Sequence, residues 1–238
     1  MSLKTLTKCT EAECGHKAIS LILLSQSNLL VPESWMWLAP RRKEDFEGII
    51  KSGINTIILR ASEPIDSIAQ ELSGNYPSQI LQFTEVDDLL DSWIKLPSPV
   101  IVQHYVPATF GGAAHIRMIE KSLIIHLLWS SDIEGIMNGS DSGKEVWFGD
   151  LPNFEKGSET KLVARSSSVP KTLLKIIPEF TSQMRVISQK VSLPFEVEWV
   201  VDYAGEIVFL QLLKLDNLEE RSEFPWIHPD SLFYALEK

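Results

Sequence analysis

The chain has 238 residues, 44% of them apolar and 23% charged, with a net charge of −10 and a pI near 5.0. That length suffices for one large domain or two lobes around a hydrophobic core. The acidic balance argues against a general nucleic-acid or anionic-membrane binder, while leaving room for a local basic pocket around one nucleotide. The strongest apolar run, Leu123 to Trp129, is interrupted by His126 and is too short to span a bilayer. Glu11 and Glu13 behind Lys4 and Lys8 do not fit a signal peptide. The two cysteines, Cys9 and Cys14, give no disulfide framework and point to reduced thiols in a cytoplasmic protein. With His16 they make three metal-ligand types, short of the four that a structural zinc site needs.

In chain order, Gly15-His16-Lys17 precedes a helix over Ala18 to Ser25, apolar on nearly every side and therefore buried. Asn28 and Val31-Pro32 end it. Trp35 to Trp37 reads as a strand, Arg41 to Asp45 as an exposed charged loop, and Phe46 to Ser52 as a short helix. Ile54 to Leu59 is a β-rich run closed by Arg60, which suits either an anion contact or a surface ion pair. Ser73-Gly74-Asn75-Tyr76-Pro77-Ser78 is turn-rich; it is either a phosphate-cradling loop or a plain connection. Glu85 to Lys95 has helical spacing with Thr84 as its cap. Pro97-Ser98-Pro99 marks a lobe boundary, dividing the chain into 1–96 and 97–238. Val100 to Gln103 is a buried strand extended by His104 to Pro107. Strands follow from Gly111, over Glu120 to Trp129, Val146 to Phe148, and Leu162 to Arg165. A helical region then begins at Ser166 to Pro170 and continues over Glu179 to Lys190.

Phe195, Val197, Trp199 and Val201 alternate with Glu196, Glu198, Val200 and Asp202, the period of a half-buried strand. If Ala204-Gly205 forms a two-residue hairpin loop, Glu198 falls opposite Gln211 with both side chains on one face. A carboxylate beside an amide suits a cation or a phosphate-bound metal; it equally suits the solvated face of an ordinary hairpin.

Several of these stretches resemble, in chain order, parts of the N-terminal nucleotide-binding region of the phosphoenolpyruvate synthase and pyruvate phosphate dikinase family. Gly15-His16-Lys17-Ala18 through Val31-Pro32-Glu33 is similar to that family's Gly-Gly-Lys-Gly helix and its Val-Pro-Pro-Gly ending. Leu59-Arg60-Ala61-Ser62 resembles its Val-Arg-Ser-Ser strand end, and Ser73 to Ser78 its glycine loop. Val102-Gln103-His104-Tyr105-Val106 with Gly111-Gly112 resembles its Val-Gln-x-Met-Val segment. Glu198-Trp199 and Phe209-Leu210-Gln211 resemble its closing Ile-Glu-Trp and Ile-Leu-Gln, and Glu134 with Gly139 its Gly-Leu-Gly-Glu segment. The resemblance implies an α/β ATP-grasp fold, with ATP and Mg2+ in a cleft between two lobes. Lys17 and Arg60 would contact phosphates, and the strand carrying Gln103 would border the adenine. Glu134 would join the nucleotide site, and Glu198 and Gln211 would face magnesium and the phosphates.

The chain departs from that pattern at His16 and Ala18 in the lysine loop, and at Ala61 and Glu63 after Arg60. It also lacks an arginine after Gln211, where Leu212 and Leu213 stand. None of the five histidines has the context of the family's phosphocarrier histidine, and no pyruvate-binding barrel follows. The expectation is therefore a nucleotide-binding unit serving phosphoryl transfer to a small molecule or to a histidine domain on a separate partner. The alternative is a catalytically degenerate nucleotide-binding or scaffolding subunit, which the departures favour. Retention of Lys17, Arg60, Glu198 and Gln211 favours an active site, because converging polar groups are costly to keep without a ligand.

Overall fold

A computed structural model of the chain describes residues 3–6, 9–62, 78–83, 86–119, 122–133, 143–153, 157–165 and 170–214. It divides into two units, Met1–Pro107 and Ala108–Lys238. The first holds β1 (Leu3–Thr5), α1 (Glu11–Gln26), β2 (Ser34–Trp37), α2 (Glu47–Lys51), β3 (Thr56–Ala61), β4 (Ser78–Gln82), α3 (Val86–Ile94) and β5 (Val100–His104). Its five strands form one antiparallel sheet in the order β1-β2-β5-β3-β4. The strand that follows Pro97-Ser98-Pro99 thus sits in the middle of the first sheet.

Alternation along β5 divides the packing between the two faces of that sheet. Val100 and Val102 join Trp37, Ile57 and Leu59 against Phe46 and Ile49 before and within α2, and against Leu90 and Trp93 of α3. Ile101 and Met36 point the other way and meet Cys14, Ala18 and Leu21 of α1. A strand buried on both sides has to read as a continuous apolar run, and Val100-Ile101-Val102 does. The helix that crosses this face is interrupted at Gly15, whose φ of 71° and ψ of 172° break the helical ladder. Glycine takes that conformation without a Cβ penalty. A second helical segment therefore starts at His16.

Arg41 departs from the sequence expectation of an exposed charged loop. It is 7% exposed. Its guanidinium donates to the carbonyls of Trp37 (2.9 Å), Trp93 (3.1 Å), Leu96 (2.6 Å) and Ser98. One cation thereby adds donors to carbonyls at the end of α3 and in the turn behind it, of which Trp93 also accepts from the Leu96 N–H at 3.3 Å.

The second unit holds β6 (Ala108–Ile119), β7 (Ser122–Ser130), β8 (Lys144–Asn153), β9 (Gly157–Arg165), α4 (Lys171–Ser188), β10 (Phe195–Asp202) and β11 (Ile207–Lys214). Its six strands run antiparallel in the order β11-β10-β6-β7-β8-β9. Phe180 of α4 anchors one face, with ring centroids 5.4 Å from Trp199, 5.7 Å from Phe209 and 6.3 Å from Phe148. Glu196 and Glu198, which alternate with Val197 and Trp199 on β10, turn to the opposite face.

The β10–β11 turn differs from the two-residue loop expected. The Gly205 N–H donates to the Asp202 carbonyl (3.1 Å), and the Asp202 N–H donates to the Glu206 carbonyl (3.1 Å). The loop is thus Tyr203-Ala204-Gly205, with Gly205 at φ 90°. Asp202 Oδ1 fixes it by accepting from the N–H groups of Ala204 and Glu206, both at 2.9 Å. Three-residue loops of this kind place glycine at the left-handed position. The ladder starts with Val201 opposite Ile207 and shifts at a bulge between Glu198 and Trp199. The bulge offsets the longer loop, so Glu198 still lies opposite Gln211.

Candidate functional site

Glu198 has Gln211 on one side and Ala113 of β6 on the other. Val197 and Trp199 turn toward α4, so Glu198 and Gln211 occupy the other face, as Glu196 does two residues earlier. Gln211 is 6% exposed and Glu198 is half-buried. A carboxylate and an amide oxygen in adjacent register form a hard-donor pair that fits a divalent cation of the magnesium class. The same face carries a second polar pair. His115 Nε2 lies 2.6 Å from Glu196 Oε2, and both side chains are largely buried. His126 of β7 is opposite His115, with ring centroids 5.6 Å apart, and its Nε2 is 3.6 Å from Glu145. Burial first, then the nearby His115 and Arg117, push the His126 pKa down to about 3. Its imidazole is therefore neutral at physiological pH.

In the first unit, Gln103 pairs with Ser34 on one side and Ile58 on the other, and Arg60 pairs with Ile101. Since Ile101 packs under α1, Arg60 and Gln103 belong to that same face of the sheet. Gln103 is fully buried; its Nε2 is 3.4 Å from Ser34 Oγ, and its Oε1 has no hydrogen-bond partner among the described residues. Ser62, two residues beyond Arg60, donates its hydroxyl to the Cys14 carbonyl at 2.5 Å and ties the end of β3 to the α1 kink. Lys17 lies in the first turn after that kink, where the helix dipole presents its positive end. A lysine, an arginine and a helix start on one side of a sheet form an arrangement that suits phosphate oxygens.

The first unit therefore gathers Lys17, Arg60 and Gln103 on its α1 side, and the second gathers Glu198 and Gln211 on its polar face. Glu134 and the segment 73–77 lie outside the described residues. Reading the sequence missed the contact between His115 and Glu196. The available signal was weak: Ala113, His115 and Arg117 alternate with apolar neighbours on β6, but the partner lies 81 residues away.

Among solved structures, D-alanyl-alanine synthetase A from Vibrio cholerae O1 biovar eltor is similar over 95% of this chain and 60% of its own, at 13% identity and a TM-score of 0.51. The N5-carboxyaminoimidazole synthase from Aspergillus clavatus, solved with ADP and 5-aminoimidazole ribonucleotide, is similar over 87% of this chain and 46% of its own, at 8% identity and a TM-score of 0.53. The D-alanine-D-alanine ligase from Coxiella burnetii gives 85%, 47%, 10% and 0.50 in the same order. The chain has the ATP-grasp fold. It spans 46% to 60% of the length of these structures. No family model matches the sequence, and no curated protein matches it. In this ATP-grasp chain the residues just described lie on the α1 side of the first sheet, among the apolar contacts of Met36 and Ile101 with α1, and on the face of the second sheet turned away from α4. No helix among the described residues is long and apolar enough to cross a membrane.

Proposed function

We propose that the chain binds ATP with Mg2+ and uses it for phosphoryl transfer, in the manner of the phosphoenolpyruvate synthase nucleotide domain that its motifs resemble. The observation that carries this reading is the register of Glu198 against Gln211 on a polar sheet face of an ATP-grasp fold. Glu198 and Gln211 would hold Mg2+, and the ion would neutralise charge on the moving phosphoryl group. Lys17 and Arg60 would bind phosphate oxygens, the β5 strand with Gln103 would border the adenine, and Glu134 would complete the nucleotide site. The acceptor would be a small molecule or a histidine domain on a separate phosphocarrier.

A second reading has a specific observation behind it. The similar structures are named as ligases and synthetases, so ATP-dependent ligation fits the fold as well as simple phosphorylation does. The third, a degenerate scaffolding subunit, is favoured by His16, Ala18 and the leucines after Gln211. Calorimetric titration with ATP and Mg2+, using GTP as control, separates the active readings from the degenerate one. Micromolar binding that Glu198→Ala abolishes is the expected result. No binding to the wild-type chain would leave the scaffold.

A further inference from the structure

The start of α1 brings two sulfurs together. Thr10 is the N-cap, and Glu13 stands at the third helical position. The Thr10 N–H donates to Glu13 Oε2 at 3.3 Å, and the N–H groups of Glu13 and Cys14 both donate to the Thr10 carbonyl at 3.1 Å. Cys9 therefore precedes the cap, and Cys14 is the fourth helical residue. Those are the two positions whose side chains meet across a capped helix start, where apolar residues commonly staple the turn. Here both are cysteines, and the chain has no others. Cys14 is fully buried in one cluster with Ala18, Met36 and Ile101, and Cys9 packs against that cluster while staying partly exposed. The Cys14 thiol is hydrogen-bonded to Cys9, and the Cys9 thiol donates onward to the Thr5 carbonyl at 3.9 Å. Burial first, then the Cys9 thiol, push the Cys14 pKa up to about 12. Cys14 thus holds its proton, and Cys9 is the sulfur that a reagent in solution can reach.

We propose that Cys9 and Cys14 are a reversible dithiol–disulfide pair, closed by a small disulfide of the glutathione class, that locks the entry of α1. The resting state is the dithiol, as the sequence suggests. In the first step Cys9 loses its proton and its sulfur attacks one sulfur of the small disulfide. The S–S bond of the reagent breaks, a mixed disulfide forms on Cys9, and one small thiol leaves with the Cys9 proton. In the second step the Cys14 sulfur bonds to the Cys9 sulfur, and the Cys14 proton goes to the second small thiol as it leaves. Both protein thiols are oxidised, and the reagent is reduced to two thiols. Cys14 needs no access to solvent for its attack, because its target is already its neighbour. The new bond joins the residue before the cap to the last residue ahead of the Gly15 kink. The Cys14 carbonyl is held by the Ser62 hydroxyl, so the closed pair ties this turn to the end of β3 more firmly. The inference stands apart from the nucleotide reading, since neither sulfur is assigned to that site.

The test incubates the full chain, reduced and desalted, with excess oxidised glutathione in the absence of air, and follows its intact mass and its free thiols. Both thiols should disappear together, with the mass falling by two hydrogens, and dithiothreitol should restore both. Digestion after alkylation should place Cys9 and Cys14 in one linked pair within a single chain. Cys14→Ala should stop at a glutathione adduct on Cys9, because nothing resolves the mixed disulfide. Cys9→Ser should slow modification of the folded chain by at least about tenfold, since Cys14 is buried. Backbone amides of Glu13 and Cys14 should exchange hydrogen more slowly in the closed form than in the open one. A glutathione adduct that persists on wild-type Cys9 overturns the proposal, as does a disulfide that joins two chains. So do thiols that both survive the oxidant, or a Cys9→Ser chain modified as fast as wild type. If Cys14→Ala does not fold, the mass of the oxidised wild-type chain decides alone.

Discussion

His126 shows how one buried side chain makes the fold sensitive to acid. It is 5% exposed, and burial holds its pKa down to about 3 against an ordinary value of 6.5. Above pH 6.5 the ring is neutral in the folded and unfolded chains alike, so it contributes no pH dependence. Between pH 6.5 and about 3 the unfolded chain binds a proton that the folded chain refuses, and stability falls. The slope from this one group reaches at most about 1.4 kcal/mol per pH unit. Urea unfolding at pH 7 and pH 5 should show a drop of up to about 2 kcal/mol in the wild-type chain, and His126→Gln should flatten it. Arg41 poses the opposite case, a buried cation with no acid paired to it among the described residues. Arg41→Lys keeps the charge but cannot span the four carbonyls that the fork reaches. It should lower unfolding stability by at least about 2 kcal/mol, and Arg41→Ala by more. The Arg41 to Asp45 charge run looks solvated in the sequence because no local pattern reveals which distant carbonyls need a donor.

At the scale of elements, close strand packing decides which positions tolerate a side chain. A Cβ at Gly112 would lie 2.1 Å from the Leu128 carbonyl oxygen, which is backbone and cannot turn aside. Gly48, in α2, has nothing within 4 Å of an added Cβ. Gly112→Ala should therefore cost about 1–3 kcal/mol or more through overpacking at the β6–β7 pairing. Gly48→Ala should be neutral or stabilise by about 0.5–1 kcal/mol, because helix interiors favour alanine. Denaturant midpoints for both variants check the contrast, and equal midpoints would contradict this packing. The hairpin shows what sequence patterning can supply at this scale. Alternation with an assumed two-residue loop put Glu198 opposite Gln211 on one face, and that is where they are. The route there was different, since a three-residue loop and a bulge offset one another. Patterning reports which face a residue occupies, whereas loop length and bulges depend on hydrogen bonds such as those of Asp202.

For the whole molecule, the order of short motifs carried the fold, because motif order follows chain topology and topology is what the ATP-grasp structures share at 8% to 13% identity. The pairing of His115 with Glu196 was not legible, since a contact across 81 residues depends on which strands become neighbours. The same separation makes ligand linkage the most direct test of the nucleotide reading. A ligand that binds only the folded chain raises its stability by about 2.7 kcal/mol at a hundred times its Kd. ATP with Mg2+ should raise the thermal midpoint, and chelation of the metal by EDTA should remove most of that rise. Glu198→Ala should abolish the metal-dependent part, because it deletes the carboxylate and leaves only the Gln211 amide. Lys17→Ala should reduce the shift with and without metal, since its proposed partner is phosphate. A midpoint that responds equally to ATP in wild type and in both variants would mean that the ligand binds elsewhere.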